Sequence, residues 1–204
     1  MRVRIAVSVV CLLAATAVQA RAEQTIVFFR HGEKPSSGNG QITCQGMNRA
    51  LALPTVLFAR YGKPAYLYAP NPGVKIADPG GSFNYIRPLA TIEPTAVKLG
   101  GMPVNAKYSY SDVAGVEASL VTATKDNTVS FVSWEHAYLV EIAQAIMTAY
   151  GGGATVPAWV SGDYDSLYVV RLHWAADASG VMHPTATFTH EFEGLNGQPT
   201  SCPF

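Results

Sequence analysis

Cysteine, charged residues and long hydrophobic runs are all scarce in this chain of 204 residues. Its three cysteines are too few for a disulfide-dense scaffold. Charged residues make up only 14% of the chain, and its 14 basic and 14 acidic residues lack the basic excess typical of nucleic-acid-binding proteins. Hydrophobic residues nevertheless reach 49%, which argues against a disordered chain and favours a globular domain with one core.

The one extended apolar run lies at the N-terminus. It follows two arginines, spans residues 5–18, and precedes Ala20-Arg21-Ala22, which has the small-x-small pattern of a signal-peptidase site. The run is shorter than the roughly 20 residues that a membrane-spanning helix needs. We therefore expect residues 1–22 to be a cleaved signal peptide, residues 23–204 to form a single domain, and the protein to be secreted or periplasmic.

Cleavage of that leader would change both the charge and the cysteine count. It would remove three arginines and no acid, leaving 11 basic and 14 acidic residues, and it would also remove Cys11. The mature chain would keep Cys44 and Cys202, which could form one disulfide in an oxidising compartment, although the sequence does not show whether they are close. We expect neither nucleic acid nor a membrane span among its interactions, and the oligomeric state stays open.

The hydrophobic pattern predicts strands and helices in alternation. Continuous apolar runs such as Thr25–Phe29 are typical of strands buried on both faces, and Thr43 can cap the helix that follows. Residues 69–86 contain too many prolines and glycines for a regular element. The predicted strands cover residues 25–29, 65–68, 104–106 and 128–133, the helices 46–61, 88–99, 112–124 and 136–150, and a final hairpin 166–174 with 185–192. This order predicts a three-layer α/β/α sandwich with a mostly parallel central sheet and a late antiparallel hairpin.

Polar side chains follow the first and the fourth predicted strands, at the point where each strand ends. Arg30 and His31 come after the first strand, Glu135 and His136 after the fourth, and Arg87 opens a helix between them. The carboxyl ends of parallel strands form the ligand-binding edge of such a sheet, so the two histidines would be neighbours if these strands pair. Guanidinium groups and helix N-termini bind tetrahedral oxyanions, and a neutral imidazole can attack phosphorus. The sequence therefore predicts a phosphate site.

Four ordered segments within residues 25–150 carry a resemblance to a known family. They are Phe29-Arg30-His31-Gly32-Glu33, the segment from Ile42 to Ala50, Arg87-Pro88-Leu89-Ala90-Thr91 with Glu93-Pro94-Thr95-Ala96, and Trp134-Glu135-His136. In this order they resemble the motifs of the histidine phosphatase superfamily, which includes phosphoglycerate mutases, histidine acid phosphatases and phytases. The resemblance implies a phosphoglycerate mutase-like fold and a phosphatase that needs no metal and no other cofactor.

The resemblance also implies roles for individual residues. His31 is expected to accept the phosphoryl group, and Arg30, Arg87 and His136 are expected to complete the phosphate pocket. Arg49 could also contribute, although the solvated face of an amphipathic helix explains it equally well. The residues that we expect to bind substrate are Arg49, Glu33 and Thr91.

The proton donor is less clearly marked. Large acid phosphatases and phytases carry a His-Asp pair near the second histidine, and this chain has none. Glu135, directly before His136, is the first candidate, and Glu33, Asp112 and Glu117 remain alternatives. The resemblance implies that members without a clear acid act on substrates with good leaving groups.

These features predict an exported phosphatase that acts on small phosphorylated molecules. The alternative is a catalytically silent, anion-binding relative of the same fold, which the missing acid favours. A mutase would need glycolytic substrates, and an export leader argues against that. A metal-binding protein is the weakest rival, because three late histidines lack a tight ligand spacing and are expected to decorate the hairpin. They are His173, His183 and His190.

Overall fold

A computed structural model describes residues 22–204, so all but the last residue of the predicted signal peptide lies outside the described residues. The described part contains a six-stranded sheet, a separate two-stranded hairpin and four α-helices. None of these helices is long and apolar enough to cross a bilayer. The elements are β1 (Ala22–Arg30), α1 (Cys44–Tyr61), β2 (Tyr66–Tyr68), β3 (Lys75–Asp78), β4 (Gly81–Asn84), α2 (Arg87–Lys98), β5 (Val104–Asn105), α3 (Val113–Leu120), β6 (Val129–Trp134), α4 (His136–Tyr150), β7 (Ser166–Ala176) and β8 (Met182–Phe192).

The main sheet is parallel on one side and antiparallel on the other. Its strand order is β5-β2-β6-β1-β7-β8. The first four strands in that order run parallel, β7 is antiparallel to β1, and β8 is antiparallel to β7. The predicted sandwich with a mostly parallel sheet and a late hairpin is confirmed.

The core lies on both faces of this sheet because its central strand alternates between them. In β1, Ile26 and Phe28 face α3 and α4, whereas Val27 and Phe29 face α1 and α2, and all four are fully buried. A strand buried on both faces needs apolar residues at successive positions, which explains the continuous apolar run in the sequence.

One expectation about local structure was wrong. Residues 69–86, expected to hold no regular element, contain the hairpin of β3 and β4. Asp78, at the end of β3, accepts a hydrogen bond from Gly40 N at 2.9 Å and pairs with Arg87. These polar contacts connect the hairpin to Gly40 and to the first residue of α2, and they leave no apolar pattern in the sequence.

A disulfide joins Cys44, the first residue of α1, to Cys202 near the C-terminus, 158 positions away. The C-terminal segment returns to the start of α1. There the Asn48 side-chain amide donates to the carbonyl oxygens of Pro199 and Ser201, each at 2.8 Å. The bridge whose formation the sequence left open is therefore present in the structure.

Candidate active site

His31 lies at the carboxyl end of β1 with its side chain buried. Its backbone N–H donates to Trp134 O on the neighbouring strand β6, at 3.2 Å. Nδ1 lies 2.8 Å from Gly32 O, so we infer that Nδ1 carries the proton and that Nε2 keeps its lone pair. Burial, together with the positive charges of Arg87 and Arg30, lowers the pKa of His31 to about 3. The imidazole is therefore neutral at physiological pH, the form that a nucleophile requires.

The loop that carries His31 is held tightly against α1 and α2. A Cβ on Gly32 would lie 2.8 Å from Gly46 O, closer than real Cβ contacts, so only glycine fits at this crossing. Gly32 N donates to Thr91 Oγ1 at 2.8 Å, and Thr91 Oγ1 donates to Arg87 O at 2.9 Å. Thr91 thus anchors the nucleophile loop to α2, and its contact with substrate stays a prediction.

Arg30 is buried next to His31 and uses only part of its guanidinium. Its Nη1 donates to the carbonyl oxygens of Ser161 at 2.5 Å and Asp163 at 3.0 Å. The guanidinium also stacks on the Tyr164 ring, with Cζ 4.1 Å from the ring centroid. Nε has no hydrogen-bond partner within the part of the chain that the structure describes. Arg30 therefore has hydrogen-bonding capacity that the described residues do not use.

Arg87, like Arg30, uses its terminal guanidinium nitrogens for contacts within the protein. Its Nη1 and Nη2 contact the Asp78 carboxylate at 2.6 and 3.3 Å, and both side chains are almost fully buried. Burial acts to raise the pKa of Asp78, but Arg87 and Gly40 N outweigh it and hold that pKa below its usual range. Arg87 Nε, like that of Arg30, finds no partner among residues 22–204. Asp78 was not among the predicted site residues, because it lies in the segment that was expected to be irregular.

Glu135 and His136 stand together at the N-terminus of α4. Glu135 Oε2 accepts hydrogen bonds from Ala137 N at 2.7 Å and Tyr138 N at 3.1 Å, which caps the helix. Its Oε1 lies 2.5 Å from His136 Nδ1. Burial favours a higher pKa, yet His136 and the backbone donors outweigh it and lower the pKa of Glu135 to about 2. Glu135 is therefore ionised at neutral pH, which makes it a weak proton donor.

Arg49 is buried, so the interpretation that it lies on a solvated helix face was wrong. Nε and Nη2 contact the Glu33 carboxylate at 2.8 to 3.1 Å. Nη1 contacts Glu193 at 2.6 Å and Asp165 at 3.5 Å. We call these four side chains the Arg49 cluster. The contacts commit both Arg49 and Glu33 to other protein groups, and their binding of substrate stays a prediction.

The remaining proton-donor candidates are also engaged elsewhere. Asp112 caps α3 by accepting from Gly115 N at 3.0 Å, and it is exposed. Glu117 lines a groove between α3 and α4, together with Gln144. Neither contact relates these carboxyl groups to His31.

The three late histidines lie on the hairpin, as expected. His173 lies 3.7 Å from Glu23, His183 lies 2.9 Å from Asp177, and His190 contacts Ser166 Oγ at 2.8 Å. Residues 22–204 hold no group of three or more histidine, cysteine or acidic side chains arranged to bind a metal ion.

Two tyrosines that the sequence analysis did not assign to the site border His31. The Tyr85 ring lies 6.1 Å from the His31 ring, edge on, and the Tyr164 ring lies 6.2 Å away. Tyr85 adjoins the recognised Arg87 segment in sequence, so its position held a signal. Tyr164 lies far from every recognised motif, and only the folded chain brings it to the site.

Comparison with known proteins reveals the fold. No protein-family model matches the chain, and no curated protein matches it in sequence. Among solved structures, one titled mycobacterial hydrolase 2 is 12% identical, with a TM-score of 0.53 over 82% of this chain and 89% of its own. A putative phosphohistidine phosphatase, SixA from Nakamurella multipartitia, is 15% identical, with a TM-score of 0.50 over 82% and 96%. The chain has the phosphoglycerate mutase-like fold of the histidine phosphatases, and the predicted fold is confirmed.

Proposed function

We propose that this protein is a phosphatase that hydrolyses phosphomonoesters through a phosphohistidine on His31, without a metal ion. The observation that carries the proposal is a neutral, buried imidazole flanked by Arg30 and Arg87. Each arginine keeps a buried Nε without a partner in the described chain. Unpaired guanidinium donors around a nucleophile suit a dianionic phosphoryl group. The fold that the chain shares with a putative phosphohistidine phosphatase supports the same conclusion.

The reaction proceeds in two displacements at phosphorus. In the first, His31 Nε2 forms a bond to phosphorus while the bond to the leaving oxygen breaks. Arg30 and Arg87 bind the non-bridging oxygens, and His136, when protonated, stabilises their charge. In the second, a water oxygen attacks phosphorus and the N–P bond breaks. This step returns His31 to its neutral form and releases inorganic phosphate.

The ionised Glu135 restricts the substrates that react quickly. Because its pKa is about 2, it has little proton to give to a leaving oxygen in the first displacement. As a carboxylate, it is better suited to take a proton from the attacking water in the second. We therefore propose substrates whose leaving groups depart without full protonation, such as phenols. Hydrolysis of p-nitrophenyl phosphate should be much faster than that of an alkyl phosphate such as β-glycerophosphate.

We also propose that the mature protein works outside the cytoplasm. The leader-like sequence of residues 1–22 supports this proposal. The disulfide between Cys44 and Cys202 supports it further, because such bonds persist in oxidising compartments.

The test is hydrolysis of p-nitrophenyl phosphate in excess EDTA by the protein starting at Glu23. His31→Ala should abolish turnover and the phosphorylated intermediate. His183→Ala, which removes a more exposed histidine on the hairpin, should leave both unchanged. Turnover by folded His31→Ala, or loss of wild-type turnover in EDTA, would show the mechanism to be wrong.

A catalytically silent anion-binding protein is the second candidate. Arg87 pairs with Asp78, and Glu135 caps α4. Both contacts favour this alternative, because they engage groups that catalysis would use. A folded wild-type protein that binds inorganic phosphate but hydrolyses none of a panel of aryl and alkyl phosphates would establish this alternative. A protein that does not bind phosphate would contradict both candidates.

A further inference from the structure

Tyr85 is a buried tyrosine whose hydroxyl has no hydrogen-bond partner of normal geometry among the described residues. Its side chain is fully buried, and the residue lies in the short segment that connects β4 to α2. The backbone N–H donates to the carbonyl oxygens of Pro72 at 3.1 Å and Val74 at 3.2 Å, which fixes the residue at the base of the hairpin. Oη forms no hydrogen bond of normal geometry with any group in residues 22–204, although the Arg87 side chain lies close enough to lower the pKa of the hydroxyl. The position of the ring is therefore well determined, while its polar atom is left unsatisfied.

The surroundings of Tyr85 are those of the phosphate site. The edge of its ring meets His31 at a centroid distance of 6.1 Å and an interplanar angle of 84°. The Arg87 guanidinium lies over the ring, with Cζ 4.9 Å from the centroid. The Tyr110 ring packs edge-on against the Tyr85 ring at a centroid distance of 5.4 Å. Tyr85 is thus held between the proposed nucleophile and one of the proposed phosphate ligands.

Other buried tyrosines in this protein satisfy their hydroxyl groups. Tyr68 Oη lies 3.0 Å from Ser119 Oγ and accepts from Lys125 Nζ at 2.6 Å. Tyr168 Oη donates to Pro157 O at 3.0 Å. Burying a hydroxyl without a partner is unfavourable, because its hydrogen bonds to water are lost and not replaced. The unpartnered Tyr85 hydroxyl therefore indicates a ligand that completes its bonding.

We propose that Tyr85 Oη donates a hydrogen bond to a phosphoryl oxygen, which makes it a third donor of the pocket beside Arg30 and Arg87. This inference rests on the proposed phosphatase function and adds a residue to its binding site. Burial and the negative charge of Glu135 raise the pKa of Tyr85 above its ordinary value, although Arg87 opposes them. The hydroxyl therefore stays protonated at neutral pH and can donate a hydrogen bond.

The test compares Tyr85→Phe with Tyr68→Phe, since each removes one buried oxygen. The readouts are the dissociation constants of orthovanadate and inorganic phosphate by calorimetry, the melting temperature, and kcat/KM for p-nitrophenyl phosphate. Tyr85→Phe should weaken orthovanadate binding about 10- to 100-fold, as expected for a hydrogen bond to a charged group. It should not lower the melting temperature, because it removes an unsatisfied group. Tyr68→Phe should lower the melting temperature and leave orthovanadate affinity unchanged.

The outcomes separate this inference from the proposed function. If the wild type binds orthovanadate but turns over no substrate, the catalytic proposal fails, and the affinity ratio still decides the role of Tyr85. An affinity of Tyr85→Phe within about twofold of wild type would overturn the inference. So would a fall in melting temperature as large as that of Tyr68→Phe, because it would indicate a structural role. Failure of the wild type to bind either anion would overturn both proposals.

Discussion

Replacing Arg49 by methionine is predicted to destabilise the protein severely. Arg49 lies on α1 with 1% of its side chain exposed, and it contacts three carboxylates that come from separate parts of the chain. Glu33 follows the nucleophile, Asp165 precedes β7, and Glu193 follows β8. Methionine fills a similar volume without charge, so the substitution leaves the three acids facing one another without a cation.

The size of the effect follows from burial. The Glu193 side chain is 0% exposed and that of Asp165 8%, so water cannot replace the lost arginine there. At a pH where Glu193 is ionised, removing one partner of this buried ion pair should cost about 3–5 kcal/mol, a large fraction of a stability of roughly 5–15 kcal/mol. For a domain of this size the melting temperature should fall by roughly 6–20 °C. Arg49→Lys should lie between wild type and Arg49→Met, because an ammonium group cannot span all three carboxylates.

The loss of stability in Arg49→Met should also depend on pH, because Glu193 is the most deeply buried acid of the Arg49 cluster. Burial raises its pKa to about 8, against the opposing effect of Arg49. The ordinary pKa of a glutamate is 4.5. Between pH 4.5 and 8, Glu193 is therefore protonated in the folded protein and ionised in the unfolded chain. Its contribution to stability is full below 4.5 and is lost as the pH rises through 8. Without Arg49 the charged form loses its cation, so the deficit of Arg49→Met should be greater at about pH 9 than at about pH 5.

Urea unfolding at both pH values, with the disulfide intact, measures these differences. The matched control is Arg171→Met, whose side chain is 30% exposed and lies 3.6 to 3.7 Å from Glu191 and Glu23. Such a surface pair should contribute no more than about 1 kcal/mol. The reasoning fails if Arg49→Met destabilises no more than Arg171→Met, or if its deficit is the same at both pH values.

Two further predictions concern the backbone around the site and the covalent link. Gly32→Ala places a methyl group 2.8 Å from Gly46 O, so it should lower the free energy of unfolding by about 1–3 kcal/mol and reduce p-nitrophenyl phosphate turnover. In the control Gly162→Ala the new methyl group has nothing within 4 Å, so neither stability nor turnover should change. Equal behaviour of the two variants in unfolding and turnover assays would contradict the proposed close packing. Cys44→Ser opens a link between residues 158 positions apart and should cost about 2–5 kcal/mol in urea unfolding. An unchanged unfolding midpoint would show that the disulfide does not stabilise the fold.

Much of the fold was predictable because its signals are local. The apolar run of β1, the Thr43 cap of α1 and the helical pattern that begins at His136 each act over a few residues, and the structure has all three elements. The parallel direction of β1, β2, β5 and β6 follows from the same pattern, because parallel strands are joined by crossover helices. The strand order does not follow from it, since β1 pairs with β6 and β7 and not with β2. The pairing of β1 with β6 brings Arg30 opposite Trp134, as the proposed neighbourhood of the two histidines required.

The partners of the site residues were not predictable in the same way. Arg49 contacts Asp165 and Glu193 across 116 and 144 positions of sequence, so its helical surroundings contain no sign of either. The pairing of Asp78 with Arg87 depends on a hairpin whose sequence has no apolar period.

The sequence by itself determined the order of the elements, the α/β/α layers and the residues at the carboxyl ends of β1 and β6, because backbone propensity and burial patterns act between near neighbours. The resemblance of its motifs indicated the phosphoglycerate mutase-like fold. Tertiary structure alone decided the Cys44–Cys202 bridge, the Arg49 cluster and the unsatisfied hydroxyl of Tyr85. Ion pairs, disulfides and hydrogen bonds depend on distances of a few ångströms between groups that are far apart in sequence. Only the packed chain defines those distances.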